Sequence, residues 1–254
     1  MIVQALANRL LKPQFLSRLK VIALRSSFLA KTFKLRYFSL NNLDMQMEKY
    51  LDFNNGYFVE LGANDGVNQS NTLYFEKFRG WHGVLIEPYL PNFNRLIRNR
   101  SSTNFYKNAA CVGPSYKDER VTLAYSNLMT STLGITSEIP NPEDHAVSGE
   151  SFWGGKTFVF ETYALTLNSI LIEANSPKTI DMLSIDVEGV ELEILKGVNH
   201  STFRFRFICV ESRQFEVISQ YLLEQDYVYV ESLSPHDYLF QDTHTSHVQH
   251  TRGS

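Results

Sequence analysis

Tyr57-Phe58-Val59-Glu60-Leu61-Gly62-Ala63-Asn64-Asp65-Gly66 carries an apolar run into an acidic residue and then opens into a short turn bounded by two glycines. Ser70 and Asn71 follow, residue types that suit a helix N-cap, and then the apolar-periodic Leu73, Tyr74, Phe75 and Phe78. The pattern predicts a strand, a tight loop and a helix. In open α/β sheets that junction holds ligands at the carboxyl edge. Further on, Gly83-Val84-Leu85-Ile86-Glu87-Pro88 reads as a second buried strand. It ends in a carboxylate, Glu87, that can accept hydrogen bonds from a ribose diol.

The glycines discriminate between cofactors. A dinucleotide fingerprint is G-x-G-x-x-G, its middle glycine letting the backbone approach a pyrophosphate. Here the loop is Gly62-x-x-x-Gly66, with Asn64 at the middle position and Asp65 placing a negative charge beside any diphosphate. S-adenosylmethionine carries no phosphate; it offers a sulfonium, an ammonium, a carboxylate and a ribose, and an acidic polar loop suits it better than NAD. A glycine pair alone can mark a mere turn; strand, acidic loop, helix and Glu87 in order carry the reading. An NAD-dependent sugar-modifying enzyme and a cofactor-binding scaffold without turnover are the alternatives.

The chain has 254 residues, 43% hydrophobic, enough for one sizeable α/β core. Its net charge of −3 gives no sign of a nucleic-acid binder, and no nucleic-acid partner is expected. The charge is uneven, however: Arg9, Lys12, Arg18, Lys20, Arg25, Lys31, Lys34 and Arg36 face one acid, Asp44, in the first 44 residues. Residues 1–49 therefore read as a basic amphipathic helical arm, packed on the domain, used in self-association as a homo-oligomer, laid on an anionic membrane, or cleaved as a targeting segment. No run is long and apolar enough to span a bilayer. Cys111 and Cys209 lack metal-type spacing and read as buried thiols, which favours a reducing, cytoplasmic compartment. The tail 244–254, with His247 and His250, reads as disordered.

Between arm and tail, alternating strand and helix patterns over residues 50–243 predict a doubly wound, mostly parallel sheet. Residues 126–157 read as a long polar loop, a lid or a flexible insertion. Strands are expected to end at Glu60, Glu87, Asn108, Asp186 and Glu211, so these polar groups line one crevice. Asp186-Val187-Glu188-Gly189-Val190-Glu191 is the second constellation, three carboxylates around a strand-to-helix turn. Glu191 is explained there by the helix dipole, whereas Asp186 at the strand end is a functional candidate. Methyl transfer to oxygen must align two reactants and remove a hydroxyl proton. Asp186 can take that proton; alternatively Asp186 and Glu188 could ligate a divalent metal that acidifies the hydroxyl. His145, in the long loop, is another candidate base. His82, just before a strand, reads as structural.

Glu60-Leu61-Gly62-Ala63-Asn64-Asp65-Gly66 with Gln69-Ser70-Asn71-Thr72, then Gly80-Trp81-His82-Gly83-Val84-Leu85-Ile86-Glu87-Pro88, resembles the FkbM-type methyltransferases. So does Asp181-Met182-Leu183-Ser184-Ile185-Asp186-Val187-Glu188-Gly189-Val190-Glu191, on through Ile194-Leu195-Lys196-Gly197. The resemblance implies a class I, Rossmann-like fold of seven strands with the last antiparallel. It also implies O-methylation of a hydroxyl on a sugar, glycolipid, polysaccharide or polyketide-type product. By the same carry-over, Glu60, Gly62, Asn64, Asp65 and Gly66 would surround the methionine part of the cofactor, with Ser70 and Asn71 at the helix end facing it. Glu87, beside Pro88, would hold the ribose, Asn108 and Ala109 would lie near the adenine, and Asp186 would lie near the reacting methyl.

Overall fold

Apolar runs bounded by polar turns become the strands, and the most apolar of them sit at the centre of a sheet covered on both faces. The computed structural model describes residues 36–153 and 156–245. Expectations about the first 35 residues and the last nine fall outside the described residues. In chain order the strands are β1 (Tyr57–Leu61), β2 (His82–Ile86), β3 (Phe105–Lys107), β4 (Ala110–Cys111), β5 (Arg120–Tyr125) and β6 (Ser131–Thr132). They continue with β7 (Phe158–Leu165), β8 (Thr179–Ile185), β9 (Arg204–Glu211), β10 (Tyr227–Ser232) and β11 (Asp237–Asp242). The helices are α1 (Leu43–Met47), α2 (Leu73–Arg79), α3 (Leu90–Asn99), α4 (Pro142–Trp153), α5 (Leu167–Glu173), α6 (Glu191–Lys196) and α7 (Phe215–Glu224).

Seven strands form the main sheet in the order β10-β11-β9-β8-β1-β2-β3. All neighbouring pairs are parallel except those made by β11, the last strand, which runs antiparallel to both β9 and β10. This is the class I methyltransferase fold. From β1 the chain builds outward through β2 and β3, then returns to place β8 on the other side of β1. The order reverses between β1 and β8, and at such a switch point the diverging loops leave a crevice at the carboxyl edge. Buried Val59, Leu61, Leu183, Ile185 and Ile208 fill the core on one face with α5, α6 and α7; Phe58, Leu85 and Met182 fill the other with Trp81 and α2.

Two features depart from the sequence reading. The strands β5 and β7 do not join the main sheet; with β4 and β6 they form a separate four-stranded sheet, in the order β4-β7-β5-β6. The expected loop 126–157 is also not structureless, since it holds β6 and the helix α4. Pro142 opens α4, where its missing N–H costs nothing, and Glu143 and Asp144 favour its first turn. An apolar stripe is nearly absent from α4, which is why its periodicity gave no signal. Residues 36–49 likewise pack on the domain: Phe38, Leu43 and Met47 are buried, and the Asp44 carboxylate accepts the Phe38 N–H at 2.7 Å. No helix among the described residues is long and apolar enough to cross a membrane. Cys111 and Cys209 are both buried and free.

Candidate functional site

The loop after β1 is tied to β2 by its backbone, with the Gly62 and Ala63 N–H groups both donating to the Ile86 carbonyl at 3.1 and 3.0 Å. Gly62 has φ +76°, and a Cβ there would stand 2.1 Å from the Asp186 carbonyl oxygen. Glycine is thus required both by the turn and by the close approach of the β8 end. The consequence is functional: four strand ends converge on one cleft, open to solvent. Gly62 and Asn64 from β1, Glu87 and Pro88 from β2, Ala109 beyond β3, and Asp186 and Glu188 beyond β8 all line it.

Glu87 is fixed before any ligand arrives. Its two carboxylate oxygens accept the Asn64 N–H at 2.9 Å and the Tyr89 N–H at 2.8 Å. Burial pushes its carboxyl up to about 7, against the two N–H groups that favour the charged form. Asn108 reaches this corner without lining the cleft: its amide donates to the Glu87 and Pro88 carbonyls at 2.8 and 2.9 Å, clasping the end of β2.

The remaining residues of the first motif lie behind the cleft wall, where the expectation of direct cofactor contact meets a physical obstacle. The Glu60 carboxylate is taken up by the Ser70 hydroxyl at 3.0 Å, the Asn71 N–H at 2.8 Å, the Thr72 hydroxyl at 2.6 Å and Arg100 at 3.3 Å. Asp65 caps its own turn, accepting the Val67 and Asn68 N–H groups at 3.0 and 2.8 Å. Gly66 backs onto Leu96 and Arg100, and the Asn71 amide donates to Ser184 on β8 at 3.0 Å. Glu60, Asp65, Gly66, Ser70 and Asn71 therefore shape the loop from beneath. Their hub is Arg100, which sequence reasoning missed: fully buried, it also pairs with Glu76 at 2.7 Å. A lone arginine at a helix end gives no motif to read.

Beyond β8 the carboxylates gather. Asp186, Glu188 and Glu211 bring oxygens within 4.8 Å of one another, because β8 and β9 run in register and end side by side. Asp186 is exposed on its cleft side. The protein packed around the rest of it pushes its carboxyl well above the usual range, reinforced by the neighbouring carboxylates Glu211, Glu188 and Asp237. Burial raises Glu188 as well, opposed by His145, whose Nε2 stands 2.8 Å from the Glu188 Oε2. The structure thus brings the three catalytic candidates Asp186, Glu188 and His145 together, though His145 arrives from a helix. His82 is exposed and packs edge-on to Tyr57 at 5.2 Å, away from the cleft lining.

Glu191 has a more specific part than the helix dipole. Its Oε1 accepts the Val187 and Gly189 N–H groups at 3.1 and 3.0 Å, holding the turn that carries Glu188 at φ 58°. The inserted sheet and the turn after β5 supply the roof, with Leu123, Asn127, Leu128, Thr130 and Thr132 among the lining. Four of these lie in the segment 126–157 that reads as a lid, though no pattern in the sequence singled them out one by one.

Residues 60–229 match the methyltransferase FkbM domain, about two thirds of the chain. The chain belongs to this family. It is a methyltransferase by family and by fold, which sets aside the NAD-dependent alternative. No curated protein matches the chain. Among solved structures, a proposed RNA methyltransferase, PH1948 of Pyrococcus horikoshii, is similar at 9% identity over 88% of this chain and 97% of its own, with a TM-score of 0.41. The METTL16 MTase domain is similar at 12% identity over 79% and 66%, with a TM-score of 0.41. The fibrillarin/Nop5p complex is similar at 17% identity over 87% and 82%, with a TM-score of 0.35. These likenesses concern the fold alone. The expectation of no nucleic-acid partner is withdrawn: it rested on net charge, which is a whole-chain sum and not the charge of an acceptor face, and the solved structures similar to the chain include a proposed RNA methyltransferase.

Proposed function

We propose that the cleft binds S-adenosylmethionine and that the protein methylates a hydroxyl of a sugar, glycan or glycolipid. The observation that carries this reading is the convergence of Gly62, Glu87 and Asp186, from three strands, on one cleft at the sheet's switch point. The residues fit the cofactor: Gly62 lets the β1 loop lie against the β8 end within the cleft lining, and Glu87 retains acceptor lone pairs beyond its two N–H contacts. When bound, the cofactor supplies a methyl group made electrophilic by its sulfonium.

Glu87 would accept the ribose hydroxyls, while Pro88 and Ala109 would flank the adenine. The acceptor hydroxyl must lose a proton as its oxygen bonds to carbon, and Asp186 faces the cleft with a carboxyl raised toward the range useful for that transfer. His145, oriented by Glu188, is the second group able to take or pass on the proton. An oxygen acceptor follows from this demand for a base. A sugar is the acceptor class associated with the motif resemblance.

Calorimetry with S-adenosylhomocysteine, followed by labelled methyl transfer to a panel of glycans with RNA oligomers included, tests the reading. Binding to the wild type is expected, with affinity falling roughly 10- to 100-fold in Glu87→Ala, which leaves two buried N–H groups unpaired. Normal binding by that variant would refute the ribose assignment. A panel in which no glycan gains a methyl group would refute the acceptor, and binding without any turnover would favour the scaffold. Turnover that survives EDTA would exclude a metal at Asp186 and Glu188.

A further inference from the structure

The roof of the cleft continues beyond its mouth as an aromatic wall. In the antiparallel pair β5–β7, Leu123 stands opposite Phe160 and Tyr125 opposite Phe158, and Leu123 is also paired with Thr132 on β6. Directly opposed residues share a face, and alternate residues along a strand share it too. Leu123 and Thr132 line the cleft. Tyr125, Phe158 and Phe160 therefore extend the same face outward. Tyr89 meets them from the loop after β2, one residue beyond the cleft-lining Pro88. Its ring centroid lies 4.2 Å from Tyr125, 5.2 Å from Phe160 and 5.7 Å from Phe158. Tyr125 and Phe158 are stacked at 4.8 Å with 27° between their planes.

Four rings in mutual contact at the surface are a costly way to make a roof. Tyr89, Tyr125 and Phe160 are half-buried, and Phe158 at the outer edge is 42% exposed. Aliphatic residues would close the sheet equally well, but flat rings add a specific capacity to stack. The edge nearest the cleft is polar, with Asn127 and Thr130 among the lining. A flat apolar face beside hydroxyl-binding groups complements a pyranose ring, whose faces are C–H and whose rim is hydroxyl.

We propose that Tyr89, Tyr125 and Phe158 form an acceptor subsite that stacks a sugar ring adjoining the one that is methylated. The proposal rests on the sugar reading above and deepens it. The wall adjoins the cleft through Pro88, Leu123 and Thr132, while its own rings stand outside the lining that holds Asp186, so its occupant is a neighbouring ring, and acceptors of two or more rings are preferred over single sugars.

The test uses whichever glycan the panel shows to be methylated, assayed in one-ring and two-ring forms with the full chain. The ratio of kcat/KM for two rings over one is expected to fall about tenfold in Phe158→Ala, the scale of one aromatic stacking contact, with the loss in KM. Phe158→Trp is expected to restore the ratio. Circular dichroism of each variant separates this effect from misfolding, to which a residue this exposed at the start of its strand contributes little. An unchanged ratio in Phe158→Ala would overturn the subsite. So would weakened S-adenosylhomocysteine binding in that variant, which would make the wall a donor roof. Methylation of an RNA oligomer, sensitive to Phe158→Ala, would replace the sugar with a stacked base. Absence of any methylated glycan, with donor binding intact, would instead refute the acceptor reading on which the subsite rests.

Discussion

The floor and the roof of the cleft are built on opposite principles. Beneath the β1 loop, Arg100, Glu60 and Glu76 form ion pairs with side chains 0%, 5% and 4% exposed, each also hydrogen-bonded to hydroxyl, amide or backbone groups. The roof reaches the floor through wetter contacts: His145 to Glu188 with His145 14% exposed. A second contact runs from the Ser212 hydroxyl of the floor to Glu138 at 2.9 Å. Buried, fully satisfied networks fix one geometry, whereas half-exposed pairs are individually weak. The floor is therefore set for a fixed ligand part, and the roof can vary with the acceptor while leaving the donor corner intact.

The sharpest break of this contrast is chemical. Asp186→Asn should lower turnover by about 10²- to 10⁴-fold while leaving S-adenosylhomocysteine affinity within a few-fold, since the amide keeps the shape but cannot take the proton. Turnover and calorimetry read the two effects, and joint loss of both would assign Asp186 to binding alone.

A structural break comes next. Arg100→Ala should cost about 3–5 kcal/mol, because it leaves Glu60 and Glu76 as uncompensated buried charges. On the roof, His145→Asn should cost about 1 kcal/mol or less. Urea denaturation measures both, and equal losses would erase the distinction between floor and roof.

The pH test concerns the turn between them. Burial pushes the Glu191 carboxyl up to about 8, so the folded chain holds a proton there that the unfolded chain releases near its ordinary value of about 4.3. That contribution to stability is complete below the unfolded value and is lost as pH rises through about 8. Thermal melting of the wild type should accordingly decline from pH 5 to about 8.5 by more than that of Glu191→Gln, whose amide does not titrate. Parallel melting curves would show that Glu191 is already ionised in the fold.

How much of this was legible in the sequence follows from the range of the interactions. Strand, glycine turn and helix are local, so Gly62, Glu87 and Asp186 could be read from their neighbours, and the switch-point crevice followed from alternating strands and helices. The roles within the first motif were not local. Glu60 looked like a ligand because it sits beside the glycine loop, yet Arg100 and the Ser70–Thr72 segment claim its oxygens. The helix α4 was hidden because its register is set by contacts, including Gly149 packed where a Cβ would stand 2.1 Å from the Ser126 hydroxyl, and not by an apolar stripe.

By itself the sequence determined a parallel sheet, its switch point, and a loop suited to a methyl donor, because each depends on residues adjacent in the chain. Only the tertiary structure decided which carboxylates face the cleft and which hold it up. It alone joined His145 to Glu188, and it alone laid an aromatic wall of Tyr89, Tyr125, Phe158 and Phe160 along the cleft's mouth. Those arrangements depend on strands pairing across long stretches of chain, and a side chain's partners across such distances are written in the packing, not in the order of residues.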